Sequence, residues 1–106
     1  MAITYETVSG ALKKATEKKA GEVDVAVTRS AGPSSYSTGG FDVTISELSE
    51  VINAIVVASG GYTAEIDWAN SSGNTLRVKL YSSAGTEVTA GTDVSSVYVY
   101  IIAFGW

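Results

Sequence analysis

Residues 62–80, "YTAEIDWANSSGNTLRVKL", contain the pattern that decides the fold. Apolar and polar side chains alternate on both sides of the polar segment "NSSGN", which is typical of two strands joined by a turn. Antiparallel pairing would place Glu65 and Asp67 opposite Arg77 and Lys79 on an exposed face. Each exposed ion pair contributes only about 0.2–1 kcal/mol, so these charges select the register of the hairpin more than they stabilise it.

The rest of the chain predicts more strands of the same kind. Three segments have strand-like patterns: residues 22–28, 52–58 and 97–104. Gly60-Gly61 predicts a two-residue hairpin turn, because each glycine can adopt a positive φ. The echo "AGTEVT" and "AGTDVS" in residues 84–95 predicts successive turns. The sequence therefore predicts an all-β fold, an antiparallel β-sandwich or jelly-roll-like barrel, with six to seven short strands and at most one short helical turn.

Residues 37–50, "STGGFDVTISELSE", predict a corner of the sandwich and not a reactive loop. Its structural residues are Gly39, Gly40, Thr44, Glu47 and Leu48. The glycine pair allows the chain to reverse, and the threonine and glutamate have the spacing of a capping box that closes one helical turn. The leucine is expected to plug the open end of the sandwich. No lysine follows the glycines, as a phosphate-binding loop would require.

Composition limits the chemistry that the chain can perform. Its 106 residues predict a single domain over residues 1–106. Histidine and cysteine are absent, which excludes His- or Cys-based catalysis, zinc and haem ligation by those residues, and disulfides. Residues 30–106 carry two basic and seven acidic side chains, which argues against nucleic-acid binding. We expect no signal peptide and no membrane span, because no apolar run approaches the roughly 18 residues required.

The N-terminal residues differ in composition from the strand-rich part of the chain. Residues 3–8 alternate weakly and predict an edge strand, whereas residues 11–20, "ALKKATEKKA", have helix-forming composition. Leu12 is the only large apolar side chain in that second segment, which favours a solvated turn or short helix. Residues 1–21 are interpreted as an N-terminal attachment segment.

Three kinds of ligand or catalytic site are compatible with the sequence, and each has a simpler structural interpretation. Glu65 and Asp67 could form an acid/base pair, but opposing cations make a surface ion pair the simpler interpretation. Asp93 or Asp42 could bind calcium with nearby carbonyls, although EF-hand spacing is absent. The tyrosines and Trp68 could bind carbohydrate, but core packing is the commoner role of such rings. We therefore expect no catalytic, cofactor-binding or metal-binding residues.

The last predicted strand, "VYVYIIAF" at residues 97–104, has no polar face. A domain of this size has one core, so one face must contact a second layer or another subunit. Tyr98, Tyr100 and Phe104 are the candidate interface residues. Because neither disulfides nor His/Cys metal sites can supplement a small core, we expect a homo-oligomer.

Residues 22–105 resemble small virion proteins of tailed phages and related viruses. The resemblance lies in "SYSTGGFDVTISELSEVINAIVVASGGYTAEIDWAN", "LRVKLY" and "AGTDVSSVYVYIIAFG". Ser37 stands where such chains often have proline, and "LKKATEKKAG" lies outside the resemblance. The shared motifs lie in turns and in the core.

The resemblance implies a non-enzymatic structural protein with a β-sandwich fold. Its expected role is that of a capsid decoration (cement) subunit, made in the host cytoplasm and bound to the major capsid protein on the virion surface. A trimer is the expected oligomer, because capsids offer three-fold positions. The alternative is a carbohydrate- or host-surface-binding β-sandwich module of a tail appendage.

Overall fold

The computed structural model describes residues 23–106, which form six antiparallel strands in two three-stranded sheets. The strands are β1 (Asp24–Ala31), β2 (Phe41–Thr44), β3 (Val51–Ala58), β4 (Thr63–Ser72), β5 (Thr75–Tyr81) and β6 (Tyr98–Gly105). The first sheet has the order β1-β6-β3 and the second the order β2-β5-β4. The predicted all-β class and antiparallel sandwich are confirmed, and no helix occurs within residues 23–106. The jelly-roll-like topology stays a prediction.

The core lies between the inner faces of the two sheets and is densest at their central strands. Val99, Ile101 and Ala103 of β6 are fully buried. Every second residue of β5 is also buried: Leu76, Val78 and Leu80. This period of two follows from the pleat, which sends successive side chains to opposite faces of a strand.

The turn at Gly60-Gly61 connects the two sheets. β3 pairs with β6, and β4 pairs with β5, so the predicted hairpin between β3 and β4 is wrong. Gly60 and Gly61 have φ values of 70° and 83°, as the tight turn requires. The physical reason for the different pairing is the apolar β6, which is buried by a neighbour on each side.

The corner after the glycine pair is also built differently from the prediction. Phe41–Thr44 form strand β2, and residues 45–48 form a β-turn in which the Leu48 N–H donates to the Ile45 carbonyl at 3.0 Å. The predicted helical turn is therefore wrong, and there is no helix for Thr44 and Glu47 to cap. Residues 41–44 adopt an extended conformation because they pair antiparallel with β5, whose edge on this side would otherwise be unpaired.

The end of β1 differs from the sequence prediction, and the predictions for the N-terminal residues lie outside the described residues. β1 continues to Ala31, beyond the predicted end at residue 28, because β6 pairs with it along its whole length. The predictions for residues 3–8, for residues 11–20 and for an attachment segment at 1–21 fall outside residues 23–106.

Candidate functional site

The outer face of the second sheet, which we call the charged face, carries the hairpin charges. The predicted register is confirmed, because Glu65 pairs with Lys79 and Asp67 pairs with Arg77. The Lys79 ammonium lies 3.7 Å from the Asp67 carboxylate. Arg77 instead donates from Nε to the Asp42 carboxylate of β2 at 2.7 Å. The sequence missed this last contact because it did not predict β2 as a strand.

The outer face of the first sheet, which we call the apolar face, is different in character. Its large apolar members are Val25 and Val27 of β1, Ile55 and Val57 of β3, and Tyr98, Tyr100, Ile102 and Phe104 of β6, of which Val25 is buried. Val27, Ile102 and Ile55 form one row across the three strands. These side chains are 49%, 41% and 59% exposed, so the centre of the face is open in the isolated chain.

The structure brings together the three candidate interface residues of the sequence analysis. Tyr98, Tyr100 and Phe104 alternate along β6 and all lie on the apolar face. Tyr100 is 42% exposed, whereas the other two are partly buried. The Arg29 guanidinium lies 4.8 Å from the centre of the Tyr98 ring, which is a cation–π distance. Among the β1, β3 and β6 positions of this face, Arg29 is the one charged residue.

Sequence reasoning did not find the β1 and β3 members of the apolar face. Val57 is 56% exposed and pairs with Tyr100, while Ile55 pairs with Ile102. The near-continuous apolar run of residues 52–58 is the available signal, but it predicts a central strand with Ile55 and Val57 in the core, which is wrong. The strand lies at the edge of its sheet, which a local pattern does not specify.

The corner residues have structural roles. Gly39 and Gly40 have φ values of 98° and 101°, and the Gly40 N–H donates to the Ser37 carbonyl at 2.9 Å. Leu48 is buried in the core, and its role as a plug at the open end of the sandwich stays a prediction. Glu47 is exposed within the turn.

A polar network centred on Tyr36 was not expected from the sequence. The Tyr36 hydroxyl donates to the Glu87 carboxylate at 2.8 Å and accepts from the buried Leu80 N–H at 3.1 Å. The same carboxylate accepts from the Gly39 N–H at 2.8 Å. Burial raises the pKa of Tyr36 to about 12, and the bonds from Gly39 and Tyr36 hold the pKa of Glu87 below its usual value. Through these hydrogen bonds, Tyr36 and Gly39 at the corner are linked to Glu87 in the segment that follows β5.

The effect of this network on stability can be measured. We expect Tyr36→Phe to lower the free energy of unfolding by about 1–3 kcal/mol at pH 7, because a buried N–H loses its acceptor. Since the folded pKa exceeds the unfolded value of 10, the hydroxyl's contribution is complete below pH 10 and is lost as pH rises through 12. Urea unfolding at several pH values should therefore show a smaller alkaline decline for the variant. Equal declines would contradict the raised pKa.

The carboxylates considered for catalysis or calcium binding have other partners. Glu65 accepts from the Tyr81 hydroxyl at 2.9 Å. The Asn70 amide donates to Asp67 at 2.7 Å and lowers the pKa of that carboxyl. Asp93 accepts from the backbone and hydroxyl of Ser95. In the described part of the chain, no three acidic side chains are grouped as a metal site would require.

A small cleft lies where β3 and β4 run toward the turn that joins the sheets. It has a volume of about 280 Å³. Its lining residues are Val56, Val57, Ala58, Tyr62, Thr63 and Ala64. The lining contains no Asp, Glu, Lys or Arg side chain, so the cleft offers shape and apolar contact.

Residues 23–106 thus define a class of protein: an all-β sandwich with one charged and one apolar outer face. Comparison with family models, with curated proteins and with solved structures found no match. Within the same residues, no helix is long and apolar enough to span a membrane.

Proposed function

We propose that this chain is a non-enzymatic structural subunit of a virion, and specifically a capsid decoration subunit bound to the major capsid protein. The observation that carries the proposal is the apolar face, whose centre is open in the isolated chain. Contiguous exposed apolar surface on a small domain marks a contact with another macromolecule. The sequence resemblance to small virion proteins supplies the kind of partner, and the capsid surface is the proposed location.

The free energy gained by burying the apolar face is comparable to the cost of associating with a partner. Burying a fully exposed Val or Ile side chain yields about 1.5–3 kcal/mol of favourable free energy. Burying the remaining exposed part of each half-exposed residue here would therefore yield roughly 1 kcal/mol. The five most exposed members, Val27, Ile55, Val57, Tyr100 and Ile102, therefore offer about 5 kcal/mol. Association costs about 4–15 kcal/mol in lost freedom. One such face therefore binds weakly alone, and binding strengthens when several faces are joined in one oligomer.

Homo-oligomerisation belongs to the same proposal. Tyr98, Tyr100 and Phe104 are the proposed contacts of a trimer, because three-fold positions on a capsid would place three copies side by side. A specific interface usually buries about 800 Å² per partner, so further contacts beyond this face are needed. Residues 1–21 are the proposed source of contacts to the shell or to a neighbouring copy.

One observation favours the alternative function in carbohydrate or host-surface recognition. Trp68 and Trp106 are each 45% exposed, and Tyr100 is 42% exposed. Exposed aromatic rings can stack on sugars as well as on protein. Trp68 lies on β4, in the second sheet, so it can be changed without altering the apolar face.

Capsid binding by two matched variants tests the proposal. We expect wild-type protein to co-sediment with capsids of its virus at a fixed saturating stoichiometry. Tyr100→Glu should weaken this binding at least about tenfold, because it places a charge on the apolar face. Trp68→Glu, at a position of similar exposure, should bind as wild type does.

Three results would argue against the proposal. Binding that does not saturate would contradict a decoration subunit with defined sites. Binding that is unchanged in Tyr100→Glu would show that the apolar face does not contact the capsid. Glycan binding that is lost in Trp68→Glu, without capsid binding by the wild-type protein, would establish the alternative.

A further inference from the structure

Strand β3 has a free edge in the described part of the chain. It ends the order β1-β6-β3, and its outer side has no strand neighbour within residues 23–106. A free edge presents a row of N–H and C=O groups that can pair with another strand. Natural proteins protect such edges with charged residues, proline, irregular backbone or very short strands.

The free edges of the other three outer strands are all protected in one of these ways. β1 carries Asp24 and Arg29, and β2 has only four residues, one of them Asp42. β4 carries Glu65 and Asp67, and its pairing with β5 becomes irregular after Asp67.

β3 lacks this protection over most of its length, although two of its backbone N–H groups already have acceptors. The Val51 N–H donates to the Gly73 carbonyl at 2.9 Å, and the Ala54 N–H donates to the Asn53 side chain at 2.9 Å. Its eight residues, "VINAIVVA", include neither a charged residue nor proline. The register irregularity with β6 is confined to Ile52, and residues 53–58 pair without a break. Ile55 and Val57 beside this edge are 59% and 56% exposed. The strand is therefore long, regular and apolar, which are the properties that favour pairing between chains.

We propose that β3 pairs antiparallel with β3 of a second copy of this chain. Two identical antiparallel strands are related by a two-fold axis, so each satisfies the edge of the other with the same residues. No like charges would face each other across the pair, whereas β4 would bring its two carboxylates, Glu65 and Asp67, close to their copies. The two first sheets become one six-stranded sheet in the order β1-β6-β3-β3-β6-β1.

The chemistry of the edge favours a second copy as its occupant. The flanking Ile55 and Val57 require an apolar strand beside them, and β3 itself supplies one of equal length. The pairing also joins two apolar faces into a continuous surface, which doubles the area offered to a partner. The inference rests on the edge alone, and it does not depend on the proposed function or on how many copies meet through the apolar face.

Two lysine substitutions in the full chain separate edge pairing from contact through the apolar face. Ile55 and Val27 flank Ile102 in the same row, but Ile55 lies beside the β3 edge and Val27 on the opposite strand. In sedimentation equilibrium, Ile55→Lys should raise the dissociation constant of the two-fold contact at least about tenfold. Val27→Lys should leave it unchanged. Equal weakening by both variants would assign the contact to the apolar face and overturn the inference.

Cysteine cross-linking gives a second measurement, because the natural chain has no cysteine. Single cysteines at Asn53, Ile55 and Val57 would be oxidised alone and in pairwise mixtures. Disulfide formation requires Cα atoms within about 7 Å, so at least one combination should yield a covalent dimer, while cysteine at Val27 should not. Failure of every combination would overturn the pairing. So would hydrogen exchange that shows a protected β3 edge in a monomer, because another segment of the same chain would then cover it.

Discussion

Replacing Ile101 with alanine is expected to lower the free energy of unfolding by about 2–5 kcal/mol. Ile101 is 0% exposed and lies in the middle of β6, the central strand of the first sheet. It pairs with Thr28 on one side and Val56 on the other, so its side chain points to the inner face between the sheets. The smaller side chain would leave a cavity that paired strands on both sides cannot close.

The neighbouring residue provides the control for this experiment. Ile102 has the same side chain on the same strand, but it points to the apolar face and is 41% exposed. Ile102→Ala should therefore cost clearly less in chemical denaturation of the monomer. A loss below about 0.5 kcal/mol for Ile101→Ala would place that residue in solvent and contradict the assignment of the inner face.

Replacing Gly40 with alanine is expected to disrupt the pairing of β2 with β5. Gly40 has a φ of 101°, a conformation that costs a residue with a side chain about 1–3 kcal/mol. An added Cβ would also collide with the carbonyl of Val78 in β5. Backbone cannot rotate away as a flexible side chain can, so β2 must shift and part of its pairing is lost. The total loss should exceed the conformational cost.

Gly39 separates these two contributions to the loss. Its φ of 98° is nearly the same, but an added Cβ would meet no atom within 4 Å. Gly39→Ala should therefore show the conformational cost alone, and the difference between the two variants in urea unfolding reports the collision with β5. Equal losses would mean that the approach of Gly40 to Val78 is unimportant for stability.

The β4–β5 hairpin could be predicted from sequence because its information is local. Alternation specifies which side chains share a face, and the charges on residues 65, 67, 77 and 79 specify the register across one short turn. The turn residue Gly73 has a φ of 60°, in keeping with the predicted reversal at "NSSGN". These properties depend on residues less than 20 positions apart.

The Tyr36 network could not be predicted in the same way. It joins Tyr36 to Glu87, which are 51 positions apart, and to the backbone of Leu80. Tyr36 stands in a Ser- and Gly-rich loop where nothing in the local pattern indicates burial. Its hydroxyl is satisfied only because the loop and the segment after β5 meet in the folded chain.

By itself, the sequence determined the strand-rich class, the register of one hairpin and the fact that β6 has two apolar faces. Tertiary structure decided which strands lie beside β6, and therefore that Val27, Ile55 and Val57 join Tyr98, Tyr100 and Phe104 on one surface. It also turned residues 41–44 into a strand and placed β3 at an edge. The physical reason is that alternation fixes the face of a side chain within its strand, whereas the neighbours of a strand depend on pairing between distant segments.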